Sequence, residues 1–136
     1  MSKQLVAVTL IVAAVGLPAF AGKREREKME KEVVPAMRSA EAQVKGSCGC
    51  ALAVNVDDTM QSIDELRNAR NVANSVAEGA PKYCTDAASK KAVCQMKTLT
   101  ISKGKGLFTF KDGHGVAMAN QQEYTPFAMM TRVLDK

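Results

Sequence analysis

The chain has 136 residues with 19 basic and 14 acidic side chains, four cysteines, one histidine and no tryptophan. That length carries one domain with a modest core and leaves little room for a second. A formal charge of +5, without tryptophan or a recognisable binding motif, does not suit a nucleic-acid binder.

The chain opens MSKQLVAVTLIVAAVGLPAFAGK. Lys3 gives a short positive start, residues 5–17 are apolar apart from Thr9, Pro18 breaks the run, and Ala19-Phe20-Ala21 has the small-x-small form of a cleavage box. This reads as a secretory signal peptide over residues 1–21, cleaved after Ala21, and places the protein outside the cytoplasm, periplasmic or secreted. An uncleaved anchor is the competing reading, because the 18 uncharged residues 5–22 lie at the lower end of what spans a bilayer. Membrane contact is expected only in that case. Removing 21 of 136 residues leaves 115, with three phenylalanines and two tyrosines, which is a thin core.

Residues 22–32, GKREREKMEKE, alternate in charge and offer no apolar face. Residues 22–34 are therefore expected to form a charged, solvated lead-in to a single α+β domain over 35–136. Pro35 suits a first helical turn; Met37, Ala40 and Val44 follow at helical spacing, and Gly46 is expected to stop the helix. Residues 50–56, CALAVNV, read as a strand with Leu52, Val54 and Val56 on one face. The small residues opposite them predict that this strand is covered on both sides. The strongest helix is 59–78, with Asp58 as N-cap, Gln61 three residues on, and a stripe of Met60, Ile63, Leu66, Ala69, Ala73 and Val76. Gly79 and Pro81 are expected to end it.

A short helix is expected over 85–93. Strands follow at 96–102, 107–111 and 116–120, joined by glycine-bearing links that predict an antiparallel meander. Thr125 and Pro126 open a last helix with Phe127, Met130, Val133 and Leu134 on one side. The expected class is α+β: an antiparallel sheet, one strand plus a three-stranded meander, packed with helices and stabilised by two disulfides.

The cysteines are Cys48, Cys50, Cys84 and Cys94. An even count in a small exported chain points to a disulfide framework. A Cys48–Cys50 bond would close a strained ring, and its companion Cys84–Cys94 would have to bridge a helix about 15 Å long, beyond the ~7 Å reach of a disulfide. Cross-pairing is favoured, one of Cys48 and Cys50 to Cys84 and the other to Cys94. The alternative is a thiol–disulfide redox protein using Cys48-Gly49-Cys50. Against it, these cysteines lead into a strand, so no helix N-terminus faces them to stabilise a thiolate. The spacing is not that of a zinc site, and no metal or other cofactor is expected.

The remaining candidates have plain explanations. His114 sits between two glycines and reads as a hairpin tip, and Asp57 and Asp58 belong to a helix start. SKGKG at 102–106 lacks the helix and spacing of a phosphate loop, and reads as a turn. The methionines lie mostly on apolar stripes, as core. Residues 82–111 carry seven lysines and one acid. The expectation is a non-catalytic binding protein. Its contact surface joins Lys97, Lys103, Lys105 and Lys111 with Tyr124, Phe127 and Met129, and meets a protein or an anionic cell-surface polymer.

Overall fold

The computed structural model describes residues 22–136, and the expected signal peptide lies outside the described residues. Helix α1 (Lys23–Lys28) runs through a π-helical segment (Met29–Val33) into α2 (Val34–Cys48). Pro35 explains the π segment directly upstream. It has no N–H to give to Lys31 and its ring crowds that carbonyl, so the α-helical ladder must loosen there. The expectation that residues 22–32 have no face to bury needs correcting. Met29 is buried, as is Val33 one residue beyond, so charge alternation hides a sparse apolar stripe. Nor does Gly46 end α2. Gly49, at φ 83°, supplies the left-handed cap, its N–H reaching the carbonyls of Lys45 and Val44.

Strand β1 (Ala53–Val56) is followed by α3 (Ile63–Tyr83) and α4 (Ala87–Cys94). Helix α3 starts four residues later than expected. Its N-cap is Ser62, not Asp58: Ser62 Oγ accepts the Glu65 N–H at 3.1 Å, and Glu65 Oε1 accepts the Ser62 N–H at 3.1 Å. It also runs past Gly79 and Pro81 to Tyr83, where Cys84 is tied down by a disulfide. Asp86 and Ser89 make a second capping box at α4. The chain ends with β2 (Thr98–Lys103), β3 (Phe108–Lys111), β4 (His114–Ala119) and α5 (Phe127–Leu134).

The sheet order is β1-β2-β4-β3. The expected antiparallel meander is not formed. β1 and β2 are parallel, β2 and β4 are parallel, and only β3 with β4 is antiparallel. The β1–β2 crossover carries α3 and α4, which is what a parallel connection needs. The link after β2 skips one position, so β3 lies at the outer edge and β4 turns back into the gap. Small residues explain why β4 is central. Gly115, Ala117 and Ala119 are buried, and a Cβ on Gly115 would lie 2.6 Å from Met96 Sδ and 2.9 Å from the Phe108 ring. The link between β3 and β4 is the tight hairpin, with Asp112 at φ 52° and Gly113 at φ 83°. His114 is therefore the first residue of β4, not the tip.

One sheet face packs on the helices. Val54, Val56, Leu99, Ile101 and Ala117 meet Leu66, Ala69, Val72, Ala73 and Val76 of α3 in a single core, with Met37, Ala40 and Val44 of α2. The other face is open. Ala53 and Asn55 are exposed, so the expectation that β1 is covered on both sides is also corrected. Small residues there face water in company with Thr98, Thr100 and Thr109. The fold is a two-layer α+β sandwich with a mixed sheet.

Candidate functional site

Two disulfides join the end of α2 and the entry to β1 to the residue after α3 and the last residue of α4. Cys48 pairs with Cys84 across a Cα–Cα distance of 5.3 Å, and Cys50 pairs with Cys94 across 5.8 Å. This is the cross-pairing expected from the α4 helix, and Cys48 and Cys50 are not joined to each other. Cys48 and Cys84 are buried at 4% and 6% exposure. Among the described residues no cluster of ligands could hold a metal ion, and no helix is long and apolar enough to cross a membrane.

The expected lysine face is divided. Lys97 and Lys111 sit at one end of the sheet, Lys103 and Lys105 at the other, about 16 Å away along β2. Lys97 Nζ is spent on the Cys94 carbonyl at 3.0 Å. Lys103 Nζ is drawn to Glu65 Oε2 at 2.9 Å, and the Glu65 side chain is only 3% exposed. Burial pushes the Glu65 carboxyl up, but the N–H groups of Ser62 and Gln61 together with the Lys103 ammonium outweigh it, leaving the pKa below its ordinary value. Lys105 and Lys111 remain exposed. His114 Nδ1 lies 2.7 Å from Thr98 Oγ1 on the open sheet face.

Tyr124 and Phe127 do come together. They line a groove of about 570 Å³ between α3 and the start of α5, with Asn71, Asn74, Ser75, Glu78, Lys82 and Tyr83 on the α3 side. Phe127 forms its floor, 3% exposed. Its N–H donates to Ser75 Oγ at 2.7 Å, and a Cβ on Gly79 would lie 2.5 Å from its ring, so only glycine lets α5 sit this close. The rings of Tyr83 and Phe127 meet edge to face at 6.1 Å. Burial, with the carboxylates of Asp135 and Asp86 nearby, raises the Tyr83 hydroxyl pKa. Met129 is half-buried and outside the groove, while Met130 is fully buried.

The groove's rim is a hydrogen-bonded corner. Asn120 Oδ1 accepts the N–H groups of Gln122 and Glu123 at 2.8 Å, and its Nδ2 donates to the Gly104 carbonyl at 2.9 Å. Glu123 Oε1 accepts the Gly106 N–H at 3.1 Å. Thr125 Oγ1 lies 3.0 Å from the carbonyls of Leu107 and Met118. Leu107 and Tyr124, 64% and 36% exposed, are the exposed large hydrophobics of the described residues. Their backbones lie close together here, but the β4 register sends their side chains to opposite faces. Leu107 lies opposite Met118 on the open sheet face, and Tyr124 bridges Ala119 on the helix side, facing the groove. The sequence reading missed Leu107 and the α3 wall. Asn71, Asn74, Glu78 and Lys82 do form a stripe in the sequence, but such a stripe reads as an ordinary solvent face until α5 is laid beside it.

A second hollow, of about 290 Å³, is lined by Arg24, Glu27, Lys28, Lys31, Glu32 and Ile63. Part of its charge is matched within the fold: Glu32 takes Lys28 at 2.8 Å and Arg70 at 2.7 Å, and Glu27 takes Lys23 at 3.8 Å. No family model, curated protein or solved structure matches this chain.

Proposed function

We propose that this is a small, exported, non-catalytic interaction protein that holds a partner protein at the groove between α3 and α5. The observation that carries this reading is the groove itself, about 570 Å³, with exposed Tyr124 at its edge, Phe127 as its floor and polar side chains of α3 along its wall. An exposed aromatic ring beside a concave surface, flanked by polar groups, is the mark of a contact surface. An anionic polymer fits less well, because the lysines fall at two ends of the sheet and Lys103 is committed to Glu65. Two disulfides fit an oxidising compartment outside the cytoplasm.

Photo-crosslinking tests it in the source cell. A benzoyl-phenylalanine placed at 124 or at Ala128, which is exposed and also lines the groove, is expected to form an adduct with a partner protein, and one placed at 97 is not. Retention of that partner on immobilised protein should fall only modestly as salt is raised, because the apolar contact is not screened and ion pairs to exposed side chains such as Glu78 and Lys82 contribute little. Adducts absent at both positions, or retention that collapses with salt, would count against the reading.

A further inference from the structure

The groove holds hydrogen-bonding capacity that the protein does not use. The Asn74 amide, the Glu78 carboxylate, the Lys82 ammonium and the Tyr124 hydroxyl line it, and among the described residues none of these groups makes a side-chain hydrogen bond or ion pair. Glu78 and Lys82 are four residues apart on one helix and still do not pair.

The geometry sets the shape of the missing partner. From Asn71 to Lys82 the α3 wall is about 16 Å long. An extended chain of about five residues covers that length. The floor is shallow, because Ser75 and Gly79 already touch Phe127, so α5 leaves room for one chain laid along the wall and not for a helix between the walls.

The chemistry narrows it further. An asparagine amide offers a donor and an acceptor together, which matches the C=O and N–H of a peptide group. Glu78 and Lys82 stand one helical turn apart, about 5–6 Å. Residues two apart on an extended chain are separated by about 6.6 Å and share a face. The opposite charges cancel, so the groove does not select a polyanion. Tyr124 adds an exposed aromatic ring at the edge of the same groove.

We infer that the groove binds an extended peptide segment of the partner protein, about five residues long, that carries a basic and an acidic residue two positions apart. Asn74 reads its backbone, Glu78 and Lys82 read the charged pair and so fix the direction of the chain, and an apolar side chain seats against Tyr124. This rests on the interaction-protein reading above.

Selection of a random linear dodecapeptide library on the disulfide-intact protein tests it, followed by fluorescence anisotropy on the enriched peptides. Enriched peptides are expected to share the opposite charges at a spacing of two, next to an apolar residue. Asn74→Ala and Tyr124→Ala should each weaken binding by about tenfold or more, and Lys97→Glu, at the other end of the sheet, should leave it unchanged. The double variant Glu78→Lys, Lys82→Glu should prefer a peptide with its two charges exchanged, a rescue that a purely structural role would not produce. No enriched sequence, binding indifferent to Asn74 and Tyr124, or Tyr124-dependent binding of a glycan in place of peptides would overturn the inference. If crosslinks at 124 and 128 form while no linear peptide is enriched, the interaction protein stands and the peptide segment falls. If both fail, both fall.

Discussion

Glu65 shows how one side chain can decide what its neighbours are free to do. Its carboxylate caps α3 through the N–H groups of Gln61 and Ser62, at 2.9 and 3.1 Å, and takes Lys103 on its other oxygen. The depressed pKa means that its contribution to stability is complete above its ordinary value of 4.5 and is lost as pH falls through the lower folded value. Glu65→Gln should therefore be less stable than wild type near neutral pH by about 1–2 kcal/mol, and urea melts at a series of pH values should show the gap closing only in acid below that point. Lys103→Met should cost less, about 0.5–1 kcal/mol, because the lysine is half exposed and its pair is screened. A gap for Glu65→Gln that stayed constant into strong acid would mean that the carboxylate charge is not what stabilises the helix start. Lys103→Glu would place a second carboxylate against the buried one, so a loss of binding in that variant would report damage to the fold. Lys105, exposed beside Leu107, is the lysine at this end that tests the surface alone.

At the scale of elements, the strand edges decide how the sheet ends. The outward N–H of Val54 on β1 donates to Glu41 Oε2 at 2.7 Å, and Arg38 approaches the Val54 carbonyl at 3.4 Å while holding Glu41 at 2.8 Å. Helix α2 thus occupies an edge that would otherwise offer itself to another strand. Glu41→Ala should cost about 1 kcal/mol in a urea melt and introduce concentration-dependent self-association in sedimentation experiments, whereas Glu41→Gln, which keeps an acceptor, should stay nearer to wild type. Elements of this kind were unevenly legible in the sequence. The α3 stripe, the α4 helix and the Asp112-Gly113 turn carry local signals, and each lies close to where those signals point. Strand direction does not. Whether β2 pairs with β3 or with β4 depends on Gly115 accepting Phe108 and also Met96, 19 residues back along the chain, against its backbone. The capping residue of α3 was ambiguous for a related reason: Asp58 with Gln61 and Ser62 with Glu65 both have capping spacing, and the buried position that favours Glu65 exists only once Lys103 arrives from β2. The candidate site was half legible, Tyr124 and Phe127 from their local pattern, and the α3 wall only from docking.

Across the whole molecule, the two disulfides clamp the same two regions, residues 48–50 and residues 84–94, over sequence separations of 36 and 44. Taken singly in an otherwise open chain, loops of this size are each worth about 4 kcal/mol in the chain-entropy account. They are not independent, however. Once Cys48 is bonded to Cys84, the chain between Cys50 and Cys94 is already shortened to the two residues on one side and the ten on the other, and the second bond closes an effective loop of about a dozen residues, worth about 3 kcal/mol. Replacing either pair by alanine should thus cost about 3 kcal/mol, while replacing both should cost about 6–7 kcal/mol, more than the two single losses together. Against the 5–15 kcal/mol typical of a domain, one bond is dispensable and the pair is not. Denaturant unfolding of the three variants measures this directly, after peptide mass mapping has confirmed 48–84 and 50–94 in the purified protein. A Cys48–Cys50 bond in the map would replace the staple by a reducible pair. Losses that merely add would show that the unfolded chain already holds residues 48–50 near 84–94, so that each bond constrains a region that is close without it.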